Sequence, residues 1–111
     1  MRLAAVLLCW TILATPGRVI DADTLDVDAR IWLGLTARER VRVLGVDAIE
    51  LREPGGAAAK VFVEAWVAGQ ELRLTACRRD SFGRLLADVV RVSDGADLAF
   101  DLIRAEHGVA R

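Results

Sequence analysis

From Thr24 to Leu33 apolar and polar residues alternate without a break. Leu25, Val27, Ala29, Ile31 and Leu33 fall on one side, and Asp26, Asp28, Arg30 and Trp32 on the other. A period of two over this length predicts a half-buried strand and assigns Asp26 and Asp28 to its solvent face. Gly34–Arg40 carries turn-compatible residues and leads into a second alternating run, in which Val41 and Val43 oppose Arg40 and Arg42; together the runs predict a long hairpin. Asp47–Gly56 reads as a loop, punctuated by Pro54, Gly55 and Gly56. The period then changes. Phe62, Ala65, Trp66 and Gly69 recur at helical spacing in an Ala-rich run, which predicts a helix from Ala57 to Ala68 with Gly69 as its left-handed stop. Glu71–Cys77 and Leu85–Val92 predict two further strands around a loop at Arg78–Arg84. Asp97 predicts the cap of a second helix, with Leu98, Leu102 and Ile103 on one face and Gly108 as its stop.

The order is therefore strand, hairpin, helix, strand, strand, helix. Five short strands, a helix between the third and fourth, and a C-terminal helix predict an α+β fold that is mainly β: a five-stranded Greek-key barrel of the oligonucleotide-binding (OB) type. At 111 residues the chain is one small domain, and at 54% hydrophobic residues it carries enough apolar surface for a core. Some of that content lies at the start. Met1–Ala14 has one charge, Arg2, followed by an apolar run in which only Thr11 is polar. The run is too short to span a bilayer as a helix and has the form of a secretory signal. It predicts a leader over residues 1–14, a domain over 15–111, and a secreted or periplasmic location. Removing the leader removes Cys9, which leaves Cys77 alone and excludes an internal disulfide. One Cys and the single His107 also exclude a four-ligand zinc site.

The net charge is −1, so the broad basic face of a stoichiometric nucleic-acid coat is absent. Any phosphate handling must use a few placed arginines, and all basic residues except Lys60 are arginine. Polar residues that neither the strand nor the helix patterns require stand at four places: Asp21 and Asp23 at a strand start, Arg42 inside a strand, Asp47 and Glu50 in a loop, and Arg84 after a glycine. Carboxylates with arginines, and no usable His or Cys, point away from a protein nucleophile and toward oxygen ligation of Ca2+ or Mg2+. Two arginines beside such a cation suit an anionic, phosphorus-centred transition state.

The segments "VIDADTL", "VRVLGVDAIE", "PGGAAAKVFVEAWVAG", "DSFGRLLADV" and "DLAFDLIRAEHGVAR" resemble, in order, the signature segments of the staphylococcal (micrococcal, thermonuclease-like) nuclease family across Val19–Arg111. The resemblance implies a Ca2+-dependent phosphodiesterase that cuts DNA and RNA with little sequence preference. It implies Asp23, Asp47 and the carbonyl of Ala48 as metal ligands, and Asp21 near the metal but outside its ligands. It further implies Glu50 as the residue that orders or activates the attacking water, and Arg42 and Arg84 as phosphate clamps. Asp80 is expected to be a structural loop residue. The expected partner is nucleic acid, with no stable membrane association once the leader is removed, and a monomer is expected.

Departures from the family pattern carry their own expectations. Ala22 replaces a Gly, which adds strain if the backbone there has positive φ. Ile49 replaces a Pro, which removes a rigid φ next to Glu50. Phe82 stands where Tyr is common, and the chain ends before the tyrosine-bearing segment and third helix of the family, so base stacking is expected to be weaker. Two other readings compete with the nuclease: a barrel of this lineage that only binds nucleic acid or a peptide, and a truncated fragment that folds poorly. The persistence of all five carboxylate and arginine side chains favours the enzyme. Phe62 and Trp66 are expected in the core, and His107 is expected to be a surface charge near a helix end.

Overall fold

The structure, a computed structural model, describes residues 8–111. Its elements run β1 (Trp10–Asp21), β2 (Thr24–Trp32), β3 (Leu35–Val43), β4 (Val46–Ala48), α1 (Gly56–Val67), β5 (Leu72–Arg79), β6 (Leu85–Arg91), α2 (Leu98–Arg104) and β7 (Gly108–Ala110). Five strands close a barrel in the order β1-β2-β3-β6-β5, and β4 and β7 form a separate two-stranded sheet. The expected OB-like barrel is therefore present, with α1 between its third and fourth strands. Every pairing in the barrel is antiparallel except the seam between β3 and β6, where Val41, Arg42 and Val43 run parallel to Leu85, Leu86 and Ala87.

Alternation explains the barrel interior. Leu25, Val27 and Ala29 from β2, Val41 and Val43 from β3, Leu72 and Leu74 from β5, and Ala87 and Val89 from β6 are all buried. Helix α1 lies against β1 and buries Ala59, Val63, Trp66 and Val67, while α2 covers β4, β6 and β7 with Leu98, Ala99 and Leu102. Trp66 joins the helices, its Nε1–H donating to Asp101 Oδ2 at 2.8 Å, with the Arg91 guanidinium 4.6 Å over its ring. Asp97 caps α2 as expected, accepting from the Phe100 N–H at 2.9 Å. On the outer face of the hairpin, Asp26 and Asp28 meet Arg40 and Arg38 at 2.8 and 2.9 Å, so both are solvent-side residues in cross-strand pairs. The hydrogen bond from Arg40 holds the Asp26 carboxyl below its ordinary range.

Several expectations are corrected. The inward face expected of Ile31 and Leu33 ends at Ala29. Beyond it the hairpin runs past the barrel, and Ile31 and Leu33 are 56% and 87% exposed. The turn is confined to Leu33 and Gly34, with β3 already begun at Leu35. Asp47 and Ala48, the first residues of the expected loop, belong to a strand, Val46–Ala48, because β7 offers it a partner. Helix α2 stops at Arg104, and the positive φ that follows is taken by Glu106 (62°) and not by Gly108. Gly108 instead lies in β7 opposite Ala48, where a Cβ would come 2.8 Å from the Asp47 carbonyl. His107 is half-buried and packs its ring 5.0 Å from that of Phe62. The exclusion of a disulfide also fails, since Cys9 is bonded to Cys77.

The expected leader falls partly outside the described residues, at 1–7. Its remainder does not stand apart from the domain, since Trp10–Ala14 pairs with Ala76–Leu72 of β5 and Ala14 is fully buried. A boundary after Ala14 falls inside a barrel strand.

Candidate active site

Three segments meet at the barrel end of the β2–β3 hairpin, opposite its tip: the β1–β2 turn, the end of β3, and β4. The Val43 N–H donates to the Asp23 carbonyl at 2.9 Å, which fixes the turn against β3. Arg42 is at that junction and is buried, 7% exposed. Its Nη1 donates to the carbonyls of Val43 and Val46 at 2.6 and 2.9 Å, so the main chain grips one end of the guanidinium. Its Nη2 faces two carboxylates, Asp23 Oδ2 at 3.4 Å and Asp47 Oδ1 at 3.5 Å. Asp23 Oδ2 also accepts from the Ala48 N–H at 3.1 Å, which ties β4 to the turn.

The other carboxylate oxygen of Asp23 faces a residue that carried no role in the sequence reading. Thr24 is buried, and its hydroxyl donates to Asp23 Oδ1 at 3.2 Å while accepting from Arg84 Nη1 at 3.3 Å. Asp23 is thus approached by Arg42 on one side and, through Thr24, by Arg84 on the other. Arg84 is itself aimed by Asp80. That carboxylate accepts from Arg84 Nε at 2.7 Å, and from the N–H groups of Phe82 and Arg84, each at 2.9 Å. Burial acts to raise the Asp80 carboxyl, but the bonds from Arg84 and Phe82 outweigh it and hold the group below its ordinary range. Asp80 is the loop-building residue expected of it. Phe82 is exposed, with Arg84 Cζ 5.5 Å from its ring centroid.

Arg42, Arg84 and Phe82 line a cavity of about 450 Å³. Asp47, Ala48 and Glu50 line a second, of about 320 Å³. The structure therefore brings Asp23, Arg42, Asp47 and Ala48 into direct contact and reaches Arg84 through Thr24. Glu50 stands beyond the end of β4, sharing a cavity with Asp47 but bonded to Arg52 Nε at 3.1 Å. Asp21 accepts from the Ala22 N–H at 3.2 Å and lines a cavity with Thr24 and Arg84, on the side away from Asp47.

Ala22 and Ile49 do not act as expected. Ala22 is buried, and among the described residues only Glu106 has positive φ without being glycine, so Ala22 carries no left-handed strain. Ile49 donates its N–H to the His107 carbonyl at 2.9 Å. A proline there would lack that donor. The strand pairing with β7 replaces ring rigidity as the device that holds the approach to Glu50.

On the far side of Glu50 the device is Gly56, the first residue of α1, where an added Cβ would overlap the Glu50 carbonyl. That carbonyl also accepts from the Glu53 N–H at 2.9 Å. Gly56→Ala is expected to push the Glu50 loop outward and cut any Glu50-dependent rate roughly 100-fold, the effect of a 1 Å misplacement. The rate should be measured beside the circular dichroism spectrum. An unchanged rate in a folded variant would show that the loop position does not matter.

The groups that accept from Arg42 Nη2 are carboxylate oxygens, which as ligands suit a hard cation such as Ca2+ and not zinc. Among the described residues no three of His, Cys, Asp and Glu gather as a metal-binding group. A cation at Asp23 and Asp47 would thus draw most of its oxygens from the main chain, water and substrate. With that proviso on number, the residues fit.

No family model matches the chain. It is similar to two curated proteins named uncharacterized endonuclease, from Escherichia coli O157:H7 and from Escherichia coli, each 31% identical over 99 residues that make up 88% of this chain. Those residues cover 60% of either relative, so the chain spans rather more than half the length of the endonuclease-named proteins it resembles.

Proposed function

We propose that the chain is a Ca2+-dependent, thermonuclease-like endonuclease that hydrolyses phosphodiester bonds of DNA, RNA or both with little sequence preference. The observation that carries this reading is the connected chain Arg84–Thr24–Asp23–Arg42–Asp47, which links two arginines that line one cavity to two carboxylates, one of which, Asp47, lines another with Glu50. The likeness to endonuclease-named proteins supports the same class.

In this reading Asp23, Asp47 and the Ala48 carbonyl hold the cation. When bound, Ca2+ supplies Lewis-acid polarisation of a phosphoryl oxygen. The remaining work belongs to the chain. Arg42 is gripped at Nη1 by two main-chain carbonyls, so its Nη2 is set before substrate arrives and donates to a non-bridging oxygen when Asp23 and Asp47 turn to the cation. Arg84 is held at Nε by Asp80, and its Nη groups face the same cavity. Fixed donors of this kind stabilise charge as it grows on phosphorus, at no cost of reorganisation. Glu50 takes a proton from the attacking water as its oxygen bonds to phosphorus. The phosphorus–oxygen bond to the departing sugar then breaks, and that oxygen gains a proton from solvent. An exported setting fits the Cys9–Cys77 bond, since disulfides persist in oxidising compartments.

The test is degradation of denatured DNA by the purified full chain, with Ca2+ and with a chelator. Cutting that requires Ca2+ is the expected result. Equal cutting in chelator would remove the metal from the mechanism, and a folded chain that cuts in neither condition would leave a binding module.

A further inference from the structure

The β2–β3 hairpin ends in Ile31, Trp32, Leu33, Gly34 and Leu35, and the four large side chains among them are at least half exposed. Both faces of the ribbon are apolar there. Ile31 and Leu33 continue the side that is core farther down, and Trp32, 73% exposed, points the other way. The start of β1 adds to this end of the molecule. Trp10 and Ile12 line one cavity of about 270 Å³ together with Ile31, and Leu8 and Trp10 are exposed. The Cys9–Cys77 bond ties that stretch to β5.

A tip that is apolar on both faces and round its turn is a poor match for a flat protein partner, which would cover one face and leave the other wet. It matches a medium that surrounds it. Trp and Leu beside flanking arginines, here Arg30 and Arg38, form the composition that settles at a lipid–water boundary. No helix among the described residues is long and apolar enough to cross a bilayer. Single shallow insertions hold weakly, whereas two on one rigid body add.

We propose that the hairpin tip and the exposed start of β1, with Leu8 just ahead of it, enter the surface of a lipid bilayer together. The tip lies eight strand residues from the Thr24–Arg42 pair, roughly 26 Å at the rise of a strand. The arginine–carboxylate network is then held away from the membrane, facing the water where a large soluble substrate arrives. This inference stands on the apolar end alone, whatever reaction the network performs.

The test is sedimentation of the full chain with phosphatidylcholine vesicles, with and without phosphatidylglycerol, beside the double variant Trp32→Ser, Leu33→Ser. Both side chains are exposed, so equal thermal transitions are expected and are checked first. The expected result is a wild-type chain that pellets with vesicles and a variant whose partition falls at least about tenfold, the effect of losing one or two buried apolar side chains. Failure of the wild-type chain to pellet, or equal pelleting of the variant, overturns the proposal. So does a concentration-dependent dimer that the variant abolishes, which would assign the tip to a second copy. Weaker retention of single-stranded DNA by the variant, without vesicle binding, would assign it to nucleic acid and overturn the proposal as well. Cleavage of soluble DNA is measured separately and should be the same in both proteins.

Discussion

Replacing Arg42 by alanine is expected to damage the protein twice. Its guanidinium satisfies the Val43 and Val46 carbonyls and lies against Asp23, whose side chain is 13% exposed. Truncation leaves a nearly buried carboxylate and two carbonyls short of their partner. Breaking a buried pair from one side costs about 3 kcal/mol or more, a fall of roughly 12 °C or more in Tm for a domain of this size. Cleavage should drop by ~10²–10³ through the lost donor alone. Arg42→Lys separates the two effects. It keeps the charge but loses the fork, so part of the stability should return while the rate stays at least about tenfold down. An unchanged Tm in Arg42→Ala would refute the network, and a full rate in Arg42→Lys would refute the clamp.

Glu50→Gln is expected to do the opposite, lowering cleavage by ~10²–10⁴ as a lost general base while leaving the fold alone. The glutamate is about half exposed, and its partner Arg52 is more so. Exposed pairs of this kind contribute ~0–1 kcal/mol, so the thermal transition should move little. The amide retains shape and polarity and cannot take a proton from water. Arg52→Ala serves as the control, since it frees the carboxylate without removing it and should leave most of the rate. Retention of the rate in Glu50→Gln would pass the base role to another group, with Asp47 the first to examine. Loss of rate in both variants would mean that the pair, and not the carboxylate, is what matters.

Where one face is buried and one is wet, the sequence announces the structure. Leu25, Val27 and Ala29 gave β2, and the helical spacing to Trp66 gave α1 to within one residue. Features that depend on a distant partner are silent. Val46–Ala48 is too short to show a period, and it is a strand only because Gly108–Ala110 comes back to it. Trp10–Ala14 is apolar except for Thr11, so the same run reads as part of a leader and also pairs as a strand with β5. Ile31 and Leu33 obey the alternation of a core strand in a ribbon that has left the core. In the site, the excess carboxylates and arginines were legible because a strand surface does not need them there. Thr24 was not, because threonine is an ordinary strand residue and only its position between Asp23 and Arg84 distinguishes it. The buried grip on Arg42 depends on β4, and so could not be read before β4 was known.

The parallel seam between β3 and β6 joins Val41 to Leu85, across the hairpin's exit, the whole of α1 and all of β5. The β1–β2, β2–β3 and β5–β6 pairings join near neighbours in the chain, whereas this seam and the still longer β1–β5 pairing close the barrel from a distance, and long closures come late because their entropy must be met before any contact rewards it. Arg42 is the middle residue of the seam. The clamp is thus tied to one of the two closing joints of the barrel, and a chain that has collapsed without forming this seam is expected to have no assembled site. Pulse-labelled hydrogen exchange would show it, with the Leu44 amide, which donates to Ala87, gaining protection together with activity and after the amides of the β5–β6 pair.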